Sequence, residues 1–325
     1  MKAAVIERQG GVENIVYREW PDPEIGPDDV LVRVRACALN HLDIFVRRGM
    51  PGFPVPMPFI SGGDIAGEVT AVGARVATFQ PGDRVSLNPQ TDEGMIGEEL
   101  LGGLAELVRV PAKNVIAIPP ELDFARAAAT PIAYGTALRM LITRGRLQAS
   151  ESVLVLGASG GVGLACIQIA KMVHAKAIAV AGSAEKCARL LELGADEAID
   201  MSSSDFSREA WRLSGKRGVD ICVNFTGGDT YVPSLRTLRP GGRLVTCGAT
   251  AGFDPKTDLR FIWVRELEIL GSNSYTQTDV EAALAHVAAG RLDPFIGATF
   301  PLGELAAAET LMERRDFVGK IVLVP

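Results

Sequence analysis

Residues 152–174 read SVLVLGASGGVGLACIQIAKMVH: a buried strand, a tight glycine turn and the opening of a helix. Ala158, Gly160 and Gly163 fall at the spacing of the dinucleotide fingerprint G-x-G-x-x-G, with Ala in the first place, and Gly157 and Gly161 add backbone freedom. Such a turn lets main-chain N–H groups and a helix N-terminus meet a pyrophosphate without Cβ atoms in the way. The apolar run Val153–Leu156 before it and the amphipathic pattern after it supply the context that this mechanism demands. Ala158, Ser159, Gly160, Gly161, Val162 and Gly163 are therefore candidate cofactor-binding residues.

Short apolar runs then alternate with helical patterns. Lys176–Ala181 is a second strand, Ala184–Leu193 a helix, Glu197–Asp200 a third strand and Asp205–Leu213 a helix. Val219–Phe225, Gly242–Cys247 and Leu267–Leu270 complete a set of six strands, with Tyr231–Leu238 helical between the fourth and fifth. Strands joined by helical crossovers predict a doubly wound parallel sheet, whose ligand lies beyond the carboxyl ends of the strands.

At 325 residues the chain is too long for one core and implies two domains. A net charge of −6 and a pI near 5.3 give no attraction to nucleic-acid phosphates or anionic lipid. No apolar run is long enough to span a bilayer, and Glu7, Arg8, Glu13, Arg18 and Glu19 interrupt the N-terminus where a secretory segment would be apolar, so a cytoplasmic location is expected. Cys37, Cys166, Cys187, Cys222 and Cys247 are scattered in mostly apolar surroundings and read as small hydrophobes. His174 and His286 fall in helical patterns and read as surface or packing residues.

Met1 to about Phe124 has another texture: short β runs such as Val30–Ala36 and Gly67–Val72, punctuated by Gly and Pro, with little helical periodicity. MKAAVIERQG, PDPEIGPDDVLVRV, GEVTAVGARVATFQPGDRV and GASGGVG, in this order and separation, resemble the medium-chain dehydrogenase/reductase superfamily. The Ala-for-Gly fingerprint is similar to that of its zinc-free quinone oxidoreductase branch, and the likeness extends to the C-terminal GKIVLVP. The resemblance implies a GroES-like β-barrel catalytic domain over residues 1–124 and 273–325, and a Rossmann cofactor domain over residues 125–272.

Zinc members of that superfamily take ligands from a C-x-T-D-like loop, a G-H-E motif and a Cys or Asp before the cofactor domain. The matching positions here read Asn40-His41-Leu42-Asp43, Gly62-Gly63-Asp64 and Ile132, and Asn88–Gly103 lacks the four cysteines of the structural zinc lobe. Zinc needs three protein ligands and an open position, so no metal is expected. NAD enzymes usually carry an acid at the end of the second strand, about 20 residues after the first glycine. Here that strand ends Val180-Ala181-Gly182-Ser183, followed by Ala184-Glu185-Lys186; Ser183 and Lys186 suit a 2′-phosphate, and NADPH is the expected cofactor, Glu185 dissenting.

Without metal, hydride must go to a carbon made electrophilic by hydrogen bonds, which suits a quinone or an α,β-unsaturated carbonyl. The alternatives are a zinc-free alcohol dehydrogenase, an acyl-CoA-type reductase and a non-catalytic NADPH-binding redox sensor. The candidate catalytic residues are Asn40, His41 and Asp43 from the loop replacing the metal-binding one, Asp64, and Tyr134. Asn40, Tyr134 or His41 would donate to the substrate oxygen, while Asp43 and Asp64, ionised at neutral pH, would orient the donors. By resemblance, Asn40 lines the substrate pocket and Thr136 lies near the nicotinamide mononucleotide phosphate. Further cofactor contacts are expected where strands end: Asn224 and Gly227; Gly248, Ala249 and Thr250; Gly271, Ser272 and Asn273. Arg265–Gly271 resembles the edge strand through which two such subunits pair, so a homodimer joined near Glu266–Gly271 is expected.

Overall fold

The computed structural model describes residues 1–50, 52 and 54–325, and the chain divides into two compact units. The first comprises Met1–Ile132 with Thr276–Pro325, the second Ala133–Tyr275. Among the described residues no helix is long and apolar enough to cross a membrane.

The second unit is built on the fingerprint. Its six strands are Ser152–Leu156, Lys176–Ala181, Glu197–Asp200, Val219–Val223, Leu238–Thr246 and Glu268–Gly271. All pairings are parallel, and the order across the sheet is third, second, first, fourth, fifth, sixth. The chain therefore reverses its direction of travel beside the first strand, the arrangement that opens a ligand crevice at the carboxyl ends. Leu154, Leu156, Ile178, Val180 and Cys222 fill its core, as expected of strands covered on both faces. The fifth strand starts earlier than its apolar run predicts. Leu238 already pairs with Val219, and an irregularity then throws out the Pro240-Gly241-Gly242 segment before Arg243 meets Ile221. A turn-like sequence is thus carried as a bulge within a strand.

The first unit holds a seven-stranded sheet and the hairpin-like pair Lys2–Ile6 and Ile15–Glu19. Asp29–Ala38 is its central strand, and its inward residues Val30, Val32 and Val34 alternate with more exposed ones. Register does the work that matters for function. Asp64–Val72 runs antiparallel to the central strand with Asp64 opposite Ala38, while the last strand, Lys320–Val324, lies on its other side with Val322 opposite Ala38. Counting outward along that register sets Lys320 against Asn40. Three residues distant in sequence thus meet at one end of the sheet.

The loop expected at Asn40–Asp43 is instead the start of a helix, His41–Arg48. Asn40 is its N-cap residue, and its N–H donates to the Asp43 carboxylate at 2.8 Å. The signal was the N-x-x-D spacing of a capping box, hidden by the glycine- and proline-rich texture around it. At the other end of this helix the buried guanidinium of Arg47 donates to Glu309, to Glu313 and to the Gly10 carbonyl. Both acids lie on the helix Leu305–Arg314, so the C-terminal segment fixes the element that carries Asn40. Burial raises the Glu309 carboxyl above its usual range, and Arg47 opposes that shift. Arg47→Met is expected to destabilise the protein by about 3–5 kcal/mol, because Glu309 is left buried without its cation. The double variant Arg47→Met/Glu309→Leu should recover most of that loss. Urea unfolding checks this, and equal losses in the single and double variants would contradict it.

Candidate functional site

In the first unit the register gathers a buried polar cluster. The Lys320 ammonium donates to Asn40 Oδ1 at 2.7 Å and to Asp64 Oδ2 at 2.8 Å. The Asn40 amide nitrogen donates to the same Asp64 Oδ2 at 2.9 Å and reaches the Ala38 carbonyl only at 3.4 Å. Asp64 Oδ1 accepts the Ile132 N–H at 2.8 Å. Asp64 is fully buried and Lys320 is 3% exposed, so this is an ion pair withdrawn from water. Asn40, Asp43 and Asp64 lie in one cluster, and the Asn40 amide is engaged on both of its ends.

Lys320 is the member the sequence did not disclose. Gly319, at φ +87° and with the Phe295 carbonyl 2.2 Å from where a Cβ would stand, turns the chain into the last strand and delivers Lys320 inward. A single lysine opening the apolar run Ile321–Val324 was the available signal.

Asp43 is not the simple carboxylate expected at neutral pH. Burial pushes its carboxyl up to about 7, against the N–H groups of Asn40 and Gly62 that it accepts and the Lys320 charge, with Glu309 adding to the rise. His41 is exposed on the first helical turn; desolvation of the ring, then the charges of Arg315 and Lys320, lower its pKa, which leaves a neutral imidazole at pH 7.

The three positions that match zinc ligands hold an engaged amide, a glycine and an isoleucine. Asn40 is held by Lys320 and Asp64, and Ile132 contributes only its N–H. At Gly63 a Cβ would already stand 2.8 Å from the Ile96 carbonyl and 3.2 Å from the Ile132 side chain, leaving no room for an imidazole. Among the described residues no group of three or more His, Cys, Asp and Glu could hold a metal ion.

In the second unit the fingerprint turn has the form of a cofactor cradle. Gly157 adopts φ +64°, and the Ala158 N–H donates to the Val180 carbonyl at 3.1 Å, tying the turn to the second strand. Gly160 caps the helix Gly161–Met172. The two later fingerprint glycines serve different ends. A Cβ at Gly163 would sit 2.4 Å from the Gly157 carbonyl, so its small size lets helix and strand pack closely. A Cβ at Gly160 would meet nothing nearer than 3.7 Å, so the space there is open to a ligand. Ser159, Gly160, Gly161 and Val162 are partly exposed, and the first-turn N–H groups have no acceptor within the helix.

The remaining candidates lie along the same edge of the sheet. Ser183 caps the helix Ala184–Glu192, its hydroxyl accepting the Lys186 N–H at 3.3 Å, and Gly182 is exposed with open space beside it. Asn224 does not face outward: its amide donates to Thr230 and to Ser234 on the helix Tyr231–Thr237, and accepts the N–H groups of Thr226 and Gly227 in the turn. It shapes the strand end, where Gly227 takes φ +68° against the Gly252 carbonyl. Gly248, Ala249 and Thr250 follow the fifth strand, and Thr250 donates back to Phe225 at 3.3 Å. Gly271, Ser272 and Asn273 follow the sixth; the buried Ser272 hydroxyl has no partner among the described residues, as suits a group that completes its bonding with a ligand. Thr136 is buried, and the Tyr134 hydroxyl donates to Gln168 on the fingerprint helix at 3.2 Å. The cradle, the open edge and the Ser272 hydroxyl together fit a nicotinamide dinucleotide.

Because the folded chain holds the Asp43 proton at pH values where the unfolded chain, near 3.8, has lost it, this group's contribution to stability falls as pH rises from about 4 to about 7. Asp43→Asn should remove that slope. Measured by urea unfolding, the stability of the variant relative to the parent should improve between about pH 5 and about pH 8; parallel pH profiles would contradict it.

Residues 26–120 match the family described as alcohol dehydrogenase GroES-like domain, and residues 161–289 that described as zinc-binding dehydrogenase. The chain is 32% identical over 334 aligned residues to the quinone oxidoreductase of Homo sapiens, which spans 100% of this chain and 98% of that protein. It is 31% identical over 319 residues to quinone oxidoreductase-like protein 2 of Bos taurus, covering 95% of this chain and 88% of the relative. A crystal structure described as an NAD-dependent alcohol dehydrogenase superposes with a TM-score of 0.94 at 36% identity, each chain covered over 100% of its length. With its GroES-like unit and its nicotinamide-binding Rossmann unit, this chain is an oxidoreductase and belongs to the medium-chain dehydrogenase/reductase superfamily, on its quinone oxidoreductase-like side.

Proposed function

We propose that the protein is a zinc-independent, NADPH-dependent oxidoreductase that transfers hydride to a quinone or to the β-carbon of an α,β-unsaturated carbonyl. The observation that carries this reading is the state of the three metal-ligand positions: an amide locked to Lys320 and Asp64, a glycine without room for a side chain, and an isoleucine. The first unit acts as the catalytic domain and the second as the cofactor domain. Bound nicotinamide supplies the hydride. Ser159–Gly163 hold its pyrophosphate at the helix N-terminus, and Gly271, Ser272 and Asn273, with Gly248–Thr250, border the ribose and ring.

Charge then develops on the acceptor oxygen, which needs a hydrogen-bond donor within about 3 Å. Asn40 offers the N–H that reaches Ala38 only at 3.4 Å, and His41 can donate a second hydrogen bond. Tyr134 is a weaker candidate because its hydroxyl is directed to Gln168. An alcohol is a poor substrate for this set, since its proton needs a metal or a positioned base.

Although the structural relative is described as NAD-dependent, the second strand here ends without an acid, and Ser183 and Lys186 favour a 2′-phosphate. A homodimer is supported by the edge strand Glu268–Gly271, whose Ile269 is exposed, and by the neighbouring helix Arg260–Val264, where Trp263 and Val264 are more than half exposed.

Chelator-treated protein should oxidise NADPH with para-benzoquinone or cyclohexenone at an unchanged rate, and elemental analysis should find no stoichiometric zinc. Loss of turnover on chelation would sink the reading, and binding of NADPH without turnover of any enone or quinone would favour the sensor. NADPH should bind more tightly than NADH, and Lys186→Ala should narrow the gap by ~1.5–3 kcal/mol. Ser183→Ala also removes a helix cap worth ~1 kcal/mol and so reads less cleanly. Gly160→Val should fold yet lose both cofactors, whereas Gly163→Val should fail to fold. Cofactor binding retained by Gly160→Val would contradict the cradle.

A further inference from the structure

The cluster contains one charged group that the reaction above leaves without a task. Lys320 is buried, and its ammonium touches the two ends of a single hydrogen-bonded pair: Asn40 Oδ1 at 2.7 Å and Asp64 Oδ2 at 2.8 Å, which itself accepts Asn40 Nδ2 at 2.9 Å. A carboxamide can sit in either of two flips, and its surroundings choose between them. Here the oxygen faces a cation and the nitrogen faces an anion. Turning the amide over would set its N–H groups against the ammonium and its oxygen against the carboxylate, exchanging two charge-assisted attractions for two repulsions. In water this preference would be weak, but both charges are withdrawn from solvent.

The consequence falls on the hydrogen that the pair does not use. One Nδ2 hydrogen goes to Asp64, and the other reaches only the Ala38 carbonyl at 3.4 Å, beyond the usual range of an N–H···O bond. The locked flip therefore leaves a donor rather than an acceptor underused, and a developing oxyanion needs a donor. We propose that Lys320, paired with Asp64, is a positioning residue that fixes the Asn40 carboxamide so that an N–H, and not the C=O, is presented to the substrate oxygen. This rests on the reading of Asn40 as the substrate's donor. The rival role is that Lys320 only neutralises a buried carboxylate, and the two differ in whether its effect passes through Asn40.

The test is a double-mutant cycle on kcat, run with full-length protein, NADPH and either para-benzoquinone or cyclohexenone. Lys320→Met should lower kcat at least about tenfold, with the KM for NADPH within about twofold. In the Asn40→Ala background the same change should alter kcat by less than about twofold, because the group being positioned is gone. Should Lys320→Met fail to fold by stranding Asp64, the pair Lys320→Gln/Asp64→Asn removes both charges, retains the polar atoms and should give the same pattern. Equal loss in both backgrounds, or kcat within about twofold with Asn40 present, overturns the positioning role. If Asn40→Ala alone leaves kcat within about twofold, the donor reading falls and takes this role with it; if Asn40→Ala lowers kcat while Lys320→Met does not, only the positioning role falls.

Discussion

A carboxylate sealed in a protein interior must find a cation or take up a proton, and Asp64 finds the ammonium of Lys320. That pairing depends on the return of the last strand to the first unit. Its register against the central strand sets Lys320 opposite Asn40, while the other neighbour sets Asp64 opposite Ala38. Buried ion pairs contribute little net stability, and their better-supported effect is to select one arrangement among several. Here the arrangement selected is the orientation of an amide at the end of a sheet, on the residue that also caps the helix His41–Arg48.

Asp43 shows the contrasting case. It lies in the same cluster, yet no cation is bonded to its carboxylate, only the N–H groups of Asn40 and Gly62. Burial therefore wins and its carboxyl rises to about 7. The Lys320 ammonium bonds Asp64 instead, and it comes from more than 250 residues away.

That distance sets the limit of what the sequence discloses. The Rossmann unit was legible because its information is local: apolar runs of strand length, helical crossovers and glycines whose spacing follows from the turn they make. Its strand ends could be named before their geometry was known. What a strand-end residue does was less legible, since Asn224 engages its whole amide with its own turn and the helix that follows, and Ser272 has no partner among the described residues. In the first unit, short strands separated by turns conceal register, and register alone brings Lys320 to Asn40. The helix beginning at His41 was missed for a different reason: its capping signal is two residues in a stretch whose glycines and prolines point to loops.

The proposed reaction sends hydride to a carbon remote from the acceptor oxygen, with the oxygen's charge met by hydrogen bonds and no metal. It is tested most directly by following the hydride itself. Chelator-treated protein is given NADPH deuterated at its hydride-donating carbon and cyclohexenone, and the product is read by deuterium NMR. The expected product is saturated ketone with deuterium on the β-carbon. Deuterium on the carbonyl carbon of an allylic alcohol, or transfer that appears only when zinc is restored, would contradict it.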